Sequence, residues 1–247
     1  MMKSVSVFYR KGRESLKGNW LMSAAATALF FILLIFIYVV LIFLFGVPIG
    51  SSLAGTNSPS TRKIVETILF FVAWFFAFSP LLWSYMTMFL GLARGEKLRI
   101  GQLFSGYSNT WRITLAFILT SLCQWICLAL LILIPVSMNL SLFLQIPFCI
   151  VAIAVCFYLR IIFSQFMYVI YDDDEEYIGA VDAIKQSIDL MNGHKWQFLW
   201  LDITLMVFMY LICIVTLGIG LFFVLPFMAT VYAHFYDSLA QQDVQEA

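Results

Sequence analysis

Lys17-Gly18-Asn19-Trp20 closes a basic segment and opens a run to Phe45 that holds no charged residue. The same entry recurs at Ser108-Asn109-Thr110-Trp111 and at Gly193-His194-Lys195-Trp196. Tryptophan favours the membrane–water interface, and Lys and Arg favour the cytoplasmic flank. Trp20, Trp111 and Trp196 therefore read as interface anchors, each at the start of a membrane helix. The run from Trp20 exceeds the roughly 7–15 apolar residues of a signal peptide core, so it reads as an uncleaved first span.

Composition supports a polytopic membrane protein. Of the 247 residues, 63% are hydrophobic and 11% charged, against about 45–50% and about 25% in soluble domains. The net charge of zero argues against nucleic acid as a partner. Cys123, Cys127, Cys149, Cys156 and Cys213 all lie in apolar runs, where free cysteine behaves as a small hydrophobe.

The expected fold is all-α, one integral membrane domain over residues 1–247. Six spans are predicted near 20–45, 68–93, 113–135, 142–169, 198–217 and 220–236, because lipid offers no partner to free backbone groups. A turn around Pro135-Val136-Ser137-Met138-Asn139 joins the third and fourth. Thr216-Leu217-Gly218-Ile219-Gly220 joins the last two, which are short enough to be one broken segment. Twelve of the fourteen Lys and Arg fall on one side, leaving only Arg62 and Lys63 on the other. Both termini are therefore predicted to be cytoplasmic.

A threefold pattern runs through the chain, with units near 1–95, 96–171 and 172–247. Each unit starts with a segment of helical apolar spacing. These are Val5, Phe8, Gly12 and Leu16; Ile100, Leu103, Phe104 and Tyr107; and Ile178, Val181, Ile184, Ile188 and Met191. Such segments can lie in the interface plane. The second span of each unit carries a proline, Pro80, Pro147 or Pro226, read as a helix bend. Each stands 11 to 14 residues before a charge, at Arg94, Arg160 or Asp237. Parallel repeats of this kind relate by an axis along the membrane normal.

Three stretches resemble a known family: Leu16-Lys17-Gly18-Asn19-Trp20; Ala183-Ile184, Ser187, Met191-Asn192-Gly193-His194-Lys195 and Phe198; and Gly218-Ile219-Gly220, Pro226-Phe227, Tyr232 and Phe235-Tyr236. Together they resemble the integral membrane family called domain of unknown function 975, common in Gram-positive bacteria. The resemblance spans nearly the whole chain and is densest in its last 80 residues. Members often have tyrosine at the position of Phe227, a conservative departure. The resemblance implies a fold and a bacterial plasma membrane location. It implies no catalytic residues.

Asp202 stands six residues beyond Trp196, about 9 Å along a helix. An acid inside a span calls for a named partner, and Arg160 stands at a matching depth on the preceding helix. A structural pair, two independently snorkelling groups and an ion or proton path all remain open. Asp172-Asp173-Asp174-Glu175-Glu176 lacks the glycine and spacing of a calcium loop. It reads as a solvated turn before the next helix. His194 and His234 both fall near the predicted inner surface with Asp237, but without further ligands they make no metal site. Gln124, Gln145 and Gln165 read as interhelix hydrogen-bonding groups.

No nucleophile elbow, zinc-protease motif or phosphate-binding glycine loop occurs, and no extramembrane stretch is long enough for a soluble catalytic domain. The expected function is non-enzymatic, without cofactor or metal. It is binding of a membrane protein, lipid or membrane-active peptide within the bilayer. The alternative is a small-solute or ion transporter or channel. Oligomeric state is not legible in the sequence.

Overall fold

The structure, a computed structural model, describes residues 5–45, 61–137, 142–173 and 178–246. The described residues are helical throughout, joined by short turns. The helices are α1 (Val5–Leu16), α2 (Trp20–Phe45), α3 (Thr61–Ala93), a 3₁₀ helix (Ile100–Asn109), α4 (Thr110–Ser137), α5 (Leu142–Ile162), α6 (Phe166–Asp172), α7 (Ala180–Leu190), α8 (Lys195–Val215) and α9 (Leu221–Glu246). Among the described residues, five stretches are long and apolar enough to cross a membrane. They start at Trp20, Lys63, Ile100, Gln145 and Lys195. The sixth expected span, in α9, is not among them, because the apolar part of that helix is short. It runs 16 residues from Leu221 to Tyr236 before Asp237, about 24 Å against roughly 30 Å of hydrocarbon.

α3 and α9 form the centre. α3 packs against α1, α2, the 3₁₀ helix, α4, α6 and α9, while α9 packs against α1, α2, α3, α7 and α8. Buried aromatic rings fill the spaces between them. Phe8 of α1 meets Phe235 of α9 edge-on at 5.5 Å, and Tyr168 of α6 stacks on Tyr236 of α9 at 5.2 Å.

The tryptophan entries are helix corners. α1 and α7 end in glycines of positive φ, Gly18 at 89° and Gly193 at 81°. That backbone region strains any residue with a Cβ and is the usual helix stop. The next helix starts at once, with Trp20 first in α2 and Trp196 second in α8. The entry at Trp111 lacks such a glycine, and the 3₁₀ helix runs straight into α4 at Thr110.

The three preceding segments pack into the body, each differently. α1 buries Phe8, Gly12 and Leu16, the face its spacing predicts. Gly12 lies so close to Val231 that an added Cβ would stand 2.7 Å from Cγ2. The second segment is a 3₁₀ helix rather than an α-helix. Its three-residue period aligns positions i and i+3, so it buries Leu103 and Gly106 while Ile100, Phe104 and Tyr107 stay exposed. α7 buries Ala180, Ala183, Ser187 and Leu190, and leaves Val181 exposed. Of the expected stripe, Met191 is fully buried and Ile178 and Ile184 pack against the core, while the small Ala180, Ala183 and Ser187 give the closest approach to the neighbours. Ser187 Oγ donates to the Ile162 carbonyl at 3.0 Å across that contact.

Pro80, Pro147 and Pro226 each lie inside a helix. Pro80 deprives the Phe76 carbonyl of its helical donor, and the neighbouring Ala77 carbonyl accepts from the Tyr107 hydroxyl at 2.8 Å. The Gly106 amide donates to Ser84 Oγ at 2.7 Å, so the 3₁₀ helix docks on the disturbed turn of α3.

The expected fourth span, 142–169, is broken. α5 ends at Ile162 and α6 starts at Phe166, with Ser164 Oγ donating to the Ile161 carbonyl at the break. The last two helices are distinct. Gly218 has φ 90°, and the Gly220 amide donates to Thr216 Oγ1 at 2.8 Å, satisfying backbone at an apolar tip where Leu217 is 92% exposed. Met138, Asn139 and residues 174–176 of the acidic run lie outside the described residues.

Candidate functional site

Asp202 lies on the second turn of α8 with its side chain 2% exposed. Its Oδ1 accepts from the Tyr232 hydroxyl of α9 at 2.5 Å and from Arg160 Nη2 of α5 at 3.3 Å. Charge-assisted N–H···O bonds run about 2.7–2.9 Å, so tyrosine is the tight partner and arginine the loose one. Arg160 keeps 48% of its side chain exposed. It sits at the end of α5 with Cζ 6.0 Å from the Phe157 ring centroid. Two residues before it, the Tyr158 hydroxyl accepts from Lys195 Nζ at 3.2 Å. The α5–α8 seam therefore carries two cations.

Gln165 occupies the break after α5 and is 1% exposed. Ser164 Oγ spends its proton on the Ile161 carbonyl. It can only accept from Gln165, and does so from Nε2 at 2.8 Å. This orients the amide and leaves Gln165 Oε1 buried without a hydrogen-bond partner. A buried acceptor in that state costs roughly 1–3 kcal/mol.

These groups share one cavity of about 240 Å³. Gln124 of α4, Arg160, Gln165, Asp202 and Tyr232 supply polar groups to it, and Phe117, Phe166 and Phe198 are among its apolar walls. It is not sealed, since Arg160 lines it while half exposed. Along α6, Gln165 precedes Asp172 by seven residues, about 10 Å. The cavity offers a cation, a carboxylate and an unmet acceptor amid apolar surroundings.

A second charged site ties the ends of α3 and α6 to α9. Arg94, just beyond α3, donates to Asp172 of α6 through Nη1 at 2.5 Å and Nη2 at 2.7 Å. It also donates to Asp237 Oδ1 of α9 through Nε at 3.0 Å and Nη2 at 2.8 Å. Hydrogen bonding to Asp172, reinforced by Asp237 and opposed by burial, raises the Arg94 pKa above its ordinary value. Asp173 pairs with Arg112 of α4 at 2.9 Å and accepts from the Ile178 amide at 2.7 Å. The acidic run thus starts with two structural ion-pair partners rather than with solvated acids. On the expected threefold pattern the second stretch should bring Arg160 to this cluster, but the charge found there is Asp172. Pro147 stands 25 residues before it, whereas Pro80 stands 14 before Arg94 and Pro226 11 before Asp237. The middle proline is out of register because α5 and α6 form a longer, broken helix.

Trp111 and Trp196 are exposed and Trp20 half-buried. His234 Nε2 lies 2.8 Å from Ser15 Oγ of α1, and His194 Nδ1 lies 3.1 Å from the Asn192 carbonyl, so the two histidines serve different partners. Among the described residues no three His, Cys, Asp or Glu side chains group as a metal site.

Sequence reasoning missed Tyr232 as the partner of Asp202 and treated Gln165 like the other glutamines. The consecutive Ser164-Gln165, set between apolar residues close to Arg160, was the available signal. No curated protein and no solved structure matches the chain. A family model described as protein of unknown function (DUF975) matches residues 2–243, nearly the whole sequence, and the chain belongs to that family.

Proposed function

We propose that this is a bacterial plasma membrane protein of six spans, with both termini cytoplasmic, that binds an amphiphile from the bilayer and performs no chemistry of its own. The amphiphile is a lipid or a membrane-active peptide. The observation that carries this reading is the half-open cavity holding Arg160, Asp202 and Gln165 within an apolar body. Intramembrane ionisable groups are costly and mark sites of binding or passage. Apolar walls with a few convergent polar groups are the usual make-up of a ligand site.

The three-unit reading is supported by a cyclic packing order. The 3₁₀ helix rests on α3, α7 on α6, and α1 on α9. Likewise α4 packs on α3, α8 on α5, and α2 on α9. Each unit thus leans on the second span of the one before it. α9 serves as the sixth span despite its length because it lies inside the ring of its neighbours and need not match lipid thickness along its whole circumference.

Affinity purification in mild detergent, followed by native mass spectrometry, tests the binding reading. Retention of lipid or peptide at a defined stoichiometry is expected. A ligand-free protein that regains none on addition of the membrane extract would refute it. The buried Asp202 carboxylate also favours a second reading, transport through the cavity. Reconstituted liposomes that carry no ion or solute flux would exclude that alternative while leaving binding intact.

A further inference from the structure

The chemistry of the cavity narrows the amphiphile, an inference that rests on the binding reading above. Three features constrain it. Arg160 presents a guanidinium with five N–H donors, and the hydrogen bond to Asp202 engages one of its nitrogens. Arginine is suited to planar, bidentate recognition of phosphate or carboxylate. Lys195, held against Tyr158 on the same seam, adds a second cation. The ligand therefore carries an anion.

The inner wall asks for something different. Gln165 Oε1 is buried with no donor, and the neighbouring Asp202 is an acceptor too. A ligand with an anion alone leaves Gln165 unmet and brings negative charge towards Asp202. A ligand that also carries an O–H or N–H beyond its anion satisfies both ends. About 240 Å³ is small for a whole lipid and suits a headgroup, with acyl chains left among the exposed apolar side chains outside.

We infer that the cavity holds a phosphodiester headgroup bearing a hydroxyl or ammonium hydrogen. The phosphate lies on Arg160 and the hydrogen points to Gln165 Oε1. Glycerol and ethanolamine phospholipids meet this requirement. Choline phospholipids have the phosphate but no donor, and fatty acids at neutral pH have an anion and no donor.

The test uses the detergent-solubilised full chain, titrated by native mass spectrometry with dioleoyl phosphatidylglycerol, phosphatidylethanolamine, phosphatidylcholine and oleate. The tail-free headgroup sn-glycero-3-phosphoglycerol forms a fifth arm. The first two lipids are expected to bind about tenfold more tightly than phosphatidylcholine and oleate, the worth of one satisfied buried acceptor, and more tightly than the tail-free headgroup, which lacks the acyl chains. Gln165→Leu should bring phosphatidylglycerol and phosphatidylcholine to within about twofold of each other. Arg160→Lys, which keeps the charge opposite Asp202, should weaken every phospholipid while preserving their ratio. Equal wild-type affinity for phosphatidylcholine and phosphatidylglycerol overturns the inference, as does a preference that survives Gln165→Leu. Tail-free headgroup binding as tight as phosphatidylglycerol overturns the lipid assignment. The first two outcomes leave amphiphile binding standing, whereas a tail-free headgroup that binds as tightly as the lipid, or a protein that retains none of these lipids and nothing from the membrane extract, removes both.

Discussion

The Tyr232 hydroxyl of α9 donates to Asp202 Oδ1 of α8 at 2.5 Å, while Arg160 of α5 reaches the same oxygen at 3.3 Å. Asp202 is thus pinned by a neutral group and left available to a loose cation. This division separates the buried anchor of the site from its half-exposed part. Removing Tyr232 and removing Arg160 should then have unlike effects.

Tyr232→Phe should destabilise the protein by about 1–2 kcal/mol, because the buried carboxylate loses its closest donor. Arg160→Ala should cost less, since the arginine is half exposed and its contact long. In a double-mutant cycle, Arg160→Ala and Asp202→Ala should show a coupling of about 0.5–1 kcal/mol. Thermal denaturation of the four proteins in detergent measures it. Strict additivity would mean that the two charges act independently.

Arg94 joins the ends of α3 and α6 to α9, so Arg94→Gln leaves Asp172 and Asp237 facing each other without a cation. A loss of about 1–3 kcal/mol is expected, with partial recovery in Arg94→Lys. The pKa of Arg94 is raised in the folded state, so its contribution is fully present below the unfolded-state value. It is lost only as pH rises through the folded one. Both lie far above neutrality, and the penalty of Arg94→Gln should stay constant between about pH 6 and 9. Melting curves across that range check it.

Gly106→Ala should destabilise strongly, by about 2 kcal/mol or more. Its Cβ would stand 2.4 Å from the Pro80 carbonyl oxygen and 2.7 Å from Ser84 Oγ, and the backbone atom cannot swing away. Gly101→Ala, on the same 3₁₀ helix with nothing within 4 Å, is the control and should be near neutral. Equal melting temperatures for the two variants would contradict the docking of this segment on α3.

The orientation is tested by site-directed labelling in whole cells. Lys63→Cys should react with a membrane-impermeant thiol reagent from outside, and Lys17→Cys only after permeabilisation. The reverse pattern would invert the protein.

The helices were largely legible because hydrocarbon enforces helical backbone and long apolar runs mark it. α2 starts and ends at the residues its apolar run predicts, and the glycines after α1 and α7 stop those helices where the tryptophan entries begin. The break at 163–165 was not legible. Only the Ser164-Gln165 pair interrupts an otherwise apolar run, and the tertiary bond that meets the backbone there, Ser187 Oγ to the Ile162 carbonyl, comes from a helix far along the chain. The buried face of the 3₁₀ helix was misassigned for a related reason, and on α7 Val181 alone of the expected stripe is exposed. Hydropathy marks residues that avoid water, and within a membrane large apolar side chains can meet lipid while small ones meet protein. For the site, Arg160 and Asp202 stood out because charge in a span is rare. Tyr232 and Gln165 did not, since aromatic and amide residues are common in such helices and their roles depend on what faces them.

The location of the bound amphiphile tests the account most directly. Phosphatidylglycerol with a photoactivatable diazirine beside its headgroup can be crosslinked to the protein in native membranes and the adducts mapped by peptide sequencing. Adducts should concentrate on 120–124, 160–168 and 198–202, and should fall sharply with unlabelled phosphatidylglycerol or in Arg160→Lys. Adducts spread over the exposed faces of α2 and α4, unchanged by competitor, would contradict a headgroup site at Arg160 and Asp202.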